Sequence, residues 1–429
     1  MNLIKKFLKH ALVIVILGYP IYHLLHTLHV LNPLEKELAD FKFSDIYFGH
    51  IQEKVTDKDI YLIDIGSKDN TTTRSDISDF INTINKKYKP KVIALDVEFL
   101  RDTSVSDDVN TRLVSSLTND NIVVSYNLVN IKKKWHPNRS EFPFNYNIVS
   151  EGFTNNLVAK GKIDFKVERF FQPSIIQGND TLKHFSVVTA EKYAANFDKS
   201  LLKDNNKVMI NFKYKYNDAI LIGDTNNYFK LKDKIVILGL FTKNQKGFPK
   251  YNEDVHYTSS NKFYLGKSPP NMYGGEVLAT IVSNINNNSF VSYYKSLSFW
   301  VNIILSILVY LNLLYFMQKS HNIYAAATII TQFGLVTLFV FLSVFFVAKF
   351  NMYLDLTRLG IIAFFAVEFV EPIDKIVKFI ESKFKSKKIH DKEHISTCSA
   401  ISKSTGVACR NKTKSKSMYC WVHNKKKIL

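Results

Sequence analysis

Residues 60–100 read IYLIDIGSKDNTTTRSDISDFINTINKKYKPKVIALDVEFL, and the hydrophobic period changes twice within them. Ile60–Ile65 (IYLIDI) is a short apolar run of strand length. From Ser75 to Lys87 the apolar residues Ile77, Phe80, Ile81 and Ile84 return every three or four positions, the spacing of one helix face. Lys91–Leu100 (KVIALDVEFL) is a second strand. The pattern then repeats: Asp107–Leu117 carries Leu113, Val114 and Leu117 at helical spacing, and Asn121–Leu128 (NIVVSYNL) is a third strand. Strands joined by crossover helices run parallel, so the stretch predicts an α/β domain with a mainly parallel central sheet.

The same reading extends outward. GKIDFKVERFFQP at 161–173 predicts a hairpin or two short strands, and Ser186–Phe197 a helix. Val208–Tyr214 and Asp233–Leu240 (DKIVILGL) are strands, and Glu276–Asn284 is a helix leading toward a membrane. The domain is long enough for its own core.

The whole chain has 429 residues, 46% apolar and 22% charged, which excludes wholesale disorder. Its apolar residues are unevenly spread. Ala11–Leu31 would rise roughly 31 Å as a helix, enough to cross a hydrocarbon core. Lys5, Lys6 and Lys9 precede it and no small-residue cleavage site follows, so it reads as an uncleaved anchor. Leu297–Met317 and Ile323–Ala348 are two further spans. Leu354–Val370 is a fourth, interrupted by Asp355, Arg358 and Glu368. The net charge is +19, and residues 373–429 hold 15 Lys/Arg against 4 Asp/Glu. Four spans keep this basic tail in the cytoplasm, as positive-inside bias requires; three would export it. The chain therefore reads as multi-pass in the cytoplasmic membrane, with both termini inside. Residues 1–33 are an anchor, 34–295 an exported domain, 296–372 three membrane helices, 373–395 a basic amphipathic helix and 396–429 a tail.

The amphipathic helix sets Ile373, Ile376, Val377, Ile380 and Phe384 among lysines, which suits anionic lipid or a dimer contact with a second copy, or else a solvated positive-inside flank with no partner. All three cysteines lie in the tail, ordered Cys398-x10-Cys409-x10-Cys420-x2-His423. Three thiolates and an imidazole are a complete tetrahedral zinc set, and metal would fold a segment too short for a core. The alternative is a basic tail with three spare thiols, on the reducing side of the membrane.

In the exported domain Asp64 and Asp96 fall toward the C-terminal ends of predicted parallel strands, the edge at which open α/β sheets bind ligands. If those strands are neighbours, the two carboxylates converge. With Glu98, Asp107 or Asp108 they could hold a divalent cation, and Arg74 could pair with Asp96 or grip an anion. The competing reading is structural, since strand-end aspartates commonly cap helices and loops. No nucleophile elbow, phosphate loop or zinc-protease motif appears, so no catalytic residue is assigned. His23, His26 and His29 share one face of the first span, as interfacial polar residues or a proton or metal site.

These segments, in this order, resemble the type-two CHASE domain, an extracellular sensory module of bacterial membrane receptors. The likeness runs over about residues 40–295. It begins at Phe43-Ser-Asp-Ile-Tyr-Phe48 and takes in Ile63-Asp64, Arg74, Ile93-Ala-Leu-Asp96, Glu98-Phe99 and the acidic pair Asp107/Asp108. It continues through Gly161-Lys-Ile-Asp164 with Arg169, and Leu231–Gly239. It closes on Asp254, His256 and Thr258, then Gly274-Gly275-Glu276-Val277 and Ala279. Leu278 stands where the family has a histidine, so no role passes to that position. The tail is similar to a small bacterial Cys-Cys-Cys-His module, matched at Cys398, Ala400, Gly406, Cys409, Tyr419, Cys420 and His423.

The resemblance implies a sensor that binds an envelope or small-molecule signal and relays it inward. The 57 residues after Pro372 carry no kinase or cyclase motif, which directs the output to a separate cytoplasmic protein. The alternative is a non-signalling envelope scaffold. Nucleic-acid binding by the tail, where lysines surround Tyr419 and Trp421, and an ectodomain enzyme are the weaker readings.

Overall fold

The computed structural model describes residues 2–13, 41–66, 72–99, 104–131, 134–139, 149–155, 167–194, 200, 207–244, 247–250, 254–262, 270–319, 321–356, 370–383, 396–401 and 406–413. Two units divide the chain: 31–304 with 335–361, and 1–30, 305–334 and 362–429.

The larger unit is built on a sheet that has seven strands among the described residues. In chain order they are β1 (Ile60–Asp64), β2 (Val92–Leu95), β3 (Ile122–Ile131), β4 (Lys134–Asn138), β5 (Ser150–Phe153), β7 (Ile220–Leu221) and β8 (Ile235–Gly239). A further short strand, β6 (Val167–Glu168), lies outside this sheet. The order across the sheet is β7-β1-β8-β2-β3-β4, with β5 beside the first half of β3. Only β4 runs antiparallel to its neighbour. The predicted β-α-β-α-β run is present, but its first two strands are not adjacent. β8 lies between them, paired in parallel with both. Every residue of β8 is buried, as expected of a strand covered on both faces.

Side-chain alternation splits the core. Ile63, Ile93, Leu95, Val236 and Leu238 face α2 (Arg74–Lys87) and α3 (Asp107–Leu117), meeting Ile77, Ile81, Ile84, Leu113 and Leu117. Ile60, Leu62, Ala94, Ile235 and Ile237 face α4 (Phe185–Tyr193) and α5 (Gly274–Asn286). The period of two along each strand thus produces a three-layer α/β sandwich. A capping box starts α2: the Thr73 hydroxyl accepts from Asp76 N–H, and the Asp76 carboxylate accepts from Thr73 N–H at 2.8 Å.

The predicted strand Val208–Tyr214 is broken in two, at Val208–Met209 and Tyr214–Lys215. Between them Asn284 of α5 takes the place of a neighbouring strand. Its Oδ1 accepts from Asn211 N–H at 2.8 Å and its Nδ2 donates to Asn211 C=O at 2.9 Å. A small sheet flanks the sandwich, where β9 (Val255–Thr258) pairs antiparallel with β10 (Met272–Tyr273) and parallel with β6.

Two helices follow, α6 (Lys295–Lys319) and α7 (His321–Phe350). Ser296–Lys319 and Ala326–Phe350 are long and apolar enough to cross a membrane, and only 19% and 17% of their apolar windows are buried in protein. Such unburied apolar faces suit lipid rather than water. Just before α6, β11 (Ser292–Tyr293) pairs with β12 (Met352–Tyr353) just after α7. Phe48, Met209, Val291, Val347 and Tyr353 form a small core at this junction.

In the smaller unit, α1 (Asn2–Val13) begins before the predicted first span, whose remainder lies outside the described residues together with His23, His26 and His29. The predicted fourth span is described only at Leu354–Leu356 and Val370. A helix at 370–383 covers the start of the predicted amphipathic segment. Its buried positions are Val370, Asp374 and Val377, whereas Ile376, Phe379 and Ile380 stay outside. Asp374 is buried because it lies 3.3 Å from buried His10 and takes an ion pair from Lys378 one turn on.

Candidate functional site

Asp64 and Asp96 end β1 and continue β2 on either side of β8, in register across Gly239. Two strand spacings put them roughly 9–10 Å apart. They share an edge and a face but not a pocket, because Phe241 fills the gap. A methyl on Gly239 would come within 3.2 Å of the Phe241 ring, and one on Gly275 within 2.7 Å of it. The two carboxylates also differ in satisfaction. Buried Asp64 accepts from Gly66 N–H at 2.9 Å, Phe241 N–H at 3.0 Å and the Thr242 hydroxyl at 2.5 Å, which makes it a loop clamp. Asp96 makes no side-chain hydrogen bond to the described residues and lines a cavity of about 330 Å³.

This cavity sits at the C-terminal edge of the parallel strands, on the face covered by α4 and α5. Phe171, Ile210, Val277, Leu278 and Ile281 give it an apolar side. Asp96, Glu168, Asp254 and His256 are its charged groups, and Asn127 and His184 are further polar groups in the lining. Leu278, at the position where the resemblance expects histidine, is part of the apolar wall.

His256 organises the charges. Its Nδ1 lies 2.6 Å from Glu168 Oε1 and its Nε2 lies 3.2 Å from Asp254 Oδ1. With a carboxylate on each ring nitrogen, both nitrogens donate and the ring is an imidazolium. Burial opposes that charge, but the hydrogen bonds and the charges of Asp254 and Glu168 outweigh it and raise His256 to about 10. Asp96 is pushed up to about 8, by burial first and by the Asp254 charge second, with His256 acting against both. Asp254 holds φ +51° and stacks on the start of α5: a methyl on Gly274 would meet its carboxylate oxygens at 2.4 Å. Glycine is what permits that approach.

The other residues singled out in the sequence lie elsewhere. Arg74 starts α2 and donates to Asn110 Oδ1 of α3 at 2.7 Å. Asp107 and Asp108 are exposed in the first turn of α3, where they suit the helix dipole. Glu98 is exposed beyond β2. Of the predicted ligand set, Asp96 alone lines the cavity. The tail brings two of its four predicted metal ligands onto facing arms: Cys398 N–H donates to Asn411 C=O at 2.9 Å, and Cys409 N–H to Ala400 C=O at 2.8 Å. Cys420 and His423 lie outside the described residues, and among those described no group of three or more metal-ligating side chains is assembled.

Periodicity missed Glu168 and His184. Asp254 and His256 carried a visible signal, since residues i and i+2 of a strand share a face and the pair precedes Gly274-Gly275.

Comparison with known proteins accords with this architecture. Nothing matches among curated proteins or among solved structures. The CHASE2 domain model matches residues 12–315, well over half of the chain and including the sandwich, the cavity and most of the first of the two membrane-length helices. The chain belongs to the CHASE2 domain family.

Proposed function

We propose that the chain is a membrane sensor whose exported domain binds a small envelope ligand in the Asp96–His256 cavity and relays the event through its membrane helices. The observation that carries this reading is one run of three residues. Glu168 bonds to His256 in the cavity wall. Arg169 next to it grips Asp45, on the segment that follows the predicted first span, with Nε to Oδ1 at 2.8 Å. Phe170 then packs on Tyr293 before α6, at 5.4 Å between ring centroids, and on Tyr353 after α7, at 6.1 Å. A ligand that moves β6 therefore acts on three membrane-adjacent segments at once. Relay requires only that the ligand prefer one of two arrangements of this junction. The role assigned to the cavity is binding rather than turnover.

The reading places four spans around this domain, both termini in the cytoplasm, and zinc on Cys398, Cys409, Cys420 and His423. The donor set and the facing arms of Cys398 and Cys409 support the metal, which would hold the tail in one shape for a cytoplasmic protein partner.

Hydrogen exchange of the full-length protein in lipid nanodiscs, with and without a small-molecule envelope extract, tests the relay. Protection around 254–281 accompanied by altered exchange at 290–293 and 351–356 is expected. Protection confined to the cavity, or exchange unmoved everywhere, would favour the envelope scaffold.

A further inference from the structure

We propose that the ligand of the cavity is a small organic ammonium with an apolar body and a hydrogen-bond acceptor at its far end, held between the Asp96 carboxyl and the His184 ring. This rests on the reading of the cavity as the sensory site and names what enters it.

The argument starts from His184, which is 3% exposed and caps α4. Its Nδ1 accepts from Ser186 N–H at 3.2 Å, so the ring proton sits on Nε2. The ring is wedged edge-on against Phe153 and Phe171, with centroids 5.2 and 5.3 Å away. Nε2 has no protein partner among the described residues, although the ring lines the cavity. Burial lowers His184 to about 3, so it stays a neutral donor at any ordinary pH. The ring is buried everywhere but at the cavity, so whatever fills the cavity is what takes the Nε2 hydrogen bond.

The opposite requirement comes from Asp96. Its carboxyl also has no side-chain partner among the described residues, and among the described lining it stands with Glu168 and Asp254 against one cation, His256. Even with Asp96 holding its proton, the Glu168 and Asp254 carboxylates outnumber the His256 imidazolium, which leaves the polar end short of positive charge. A cation with N–H donors supplies charge-assisted hydrogen bonds there. A bare metal ion fits less well, since no metal-ligating group is assembled among the described residues and the wall of Phe171, Ile210, Val277 and Ile281 would go unused. An organic amine uses both halves, and about 330 Å³ is in the range of small-molecule pockets.

Tyramine and tyrosol differ only by an ammonium for a hydroxyl and make a matched pair of probes. Calorimetric titration of the full-length protein in nanodiscs should show saturable tyramine binding, with tyrosol weaker by about tenfold or more. Asp96→Asn should weaken tyramine by a similar factor and leave tyrosol unchanged. His184→Phe should weaken tyramine more than phenethylamine, which lacks the distal oxygen. The inference is overturned if tyrosol equals tyramine, or if tyramine, phenethylamine and isoamylamine all fail to bind at millimolar concentration. The comparison of probes on the parent protein stands whether or not either variant folds. Amine binding without altered exchange at 290–293 and 351–356 would overturn the relay and keep this inference. Altered exchange with the envelope extract but no amine binding would do the reverse.

Discussion

Arg169 and Asp45 form a buried, two-bonded ion pair, with side chains 4% and 5% exposed and 124 residues apart in sequence. The Asp45 carboxylate also accepts from Lys42 N–H at 2.9 Å. Removing one member leaves the other's buried charge without its ion-pair partner, which typically costs about 3–5 kcal/mol. Asp45→Ala is therefore expected to lower the unfolding midpoint sharply. Arg169→Lys should also be impaired, because an ammonium cannot reproduce the planar fork. Replacing both at once, Asp45→Leu with Arg169→Met, should recover much of the loss. Thermal unfolding of the three variants in detergent checks this, and a double variant no better than Asp45→Ala would count against the pair.

The cavity groups predict how stability varies with pH. Asp96, raised by burial and by Asp254 from 3.8 to about 8, keeps a proton in the folded state that the unfolded chain has released. Its contribution is complete below 3.8 and is lost as pH rises through 8. His184, lowered by burial from 6.5 to about 3, has the opposite sign and weakens the fold as pH falls below 6.5. His256, for which burial is outweighed by Asp254 and Glu168, is raised from 6.5 to about 10 and loses its contribution as pH rises through 10. Asp96 and His184 oppose each other from 3.8 to 6.5, whereas Asp96 and His256 add between 6.5 and 8. The melting temperature should fall most steeply in that second window. Asp96→Asn should make the fall there shallower, leaving the part due to His256. An unchanged slope would remove Asp96 from the account.

Much of the sandwich was legible because burial on both faces leaves a periodic trace. Ile77, Phe80, Ile81 and Ile84 marked α2, and the apolar run at 235–239 marked β8. What the pattern did not contain was pairing. Insertion of β8 between β1 and β2 is a long-range event, and it placed Phe241 between Asp64 and Asp96. The cavity was half legible. Asp96 stood out at a strand end, but Glu168 and His184 owe their place to short strands and a helix cap that carry no period.

Glycine contacts give a graded series. A methyl on Gly152 would lie 2.5 Å from Phe185 Cα and 2.7 Å from its N, backbone atoms at the start of α4 that cannot rotate away. On Gly274 its three nearest atoms would all belong to the Asp254 carboxylate, which can turn aside at the expense of its bond to His256. On Gly334 it would meet nothing within 4 Å. Overpacking of this kind costs roughly 1–3 kcal/mol. Gly152→Ala should be the most destabilising, Gly274→Ala milder but damaging to tyramine binding, and Gly334→Ala silent. Unfolding midpoints and one titration decide the order.

Native cysteines offer a test of topology and metal together, since all three lie in the tail. An even number of spans keeps them in the cytoplasm, so a membrane-impermeant maleimide should label none in intact cells. Permeabilisation alone should still give weak labelling if the thiolates hold zinc, because a coordinated sulfur is a poor nucleophile. Adding a strong chelator after permeabilisation should expose all of them, with about one zinc released per chain. Cys398→Ser should abolish the chelator step, since Cys398 is the buried thiol on the hairpin arm facing Cys409. Labelling in intact cells would mean an odd number of spans and an exported tail. Full labelling on permeabilisation without chelator would leave four spans standing and remove the metal.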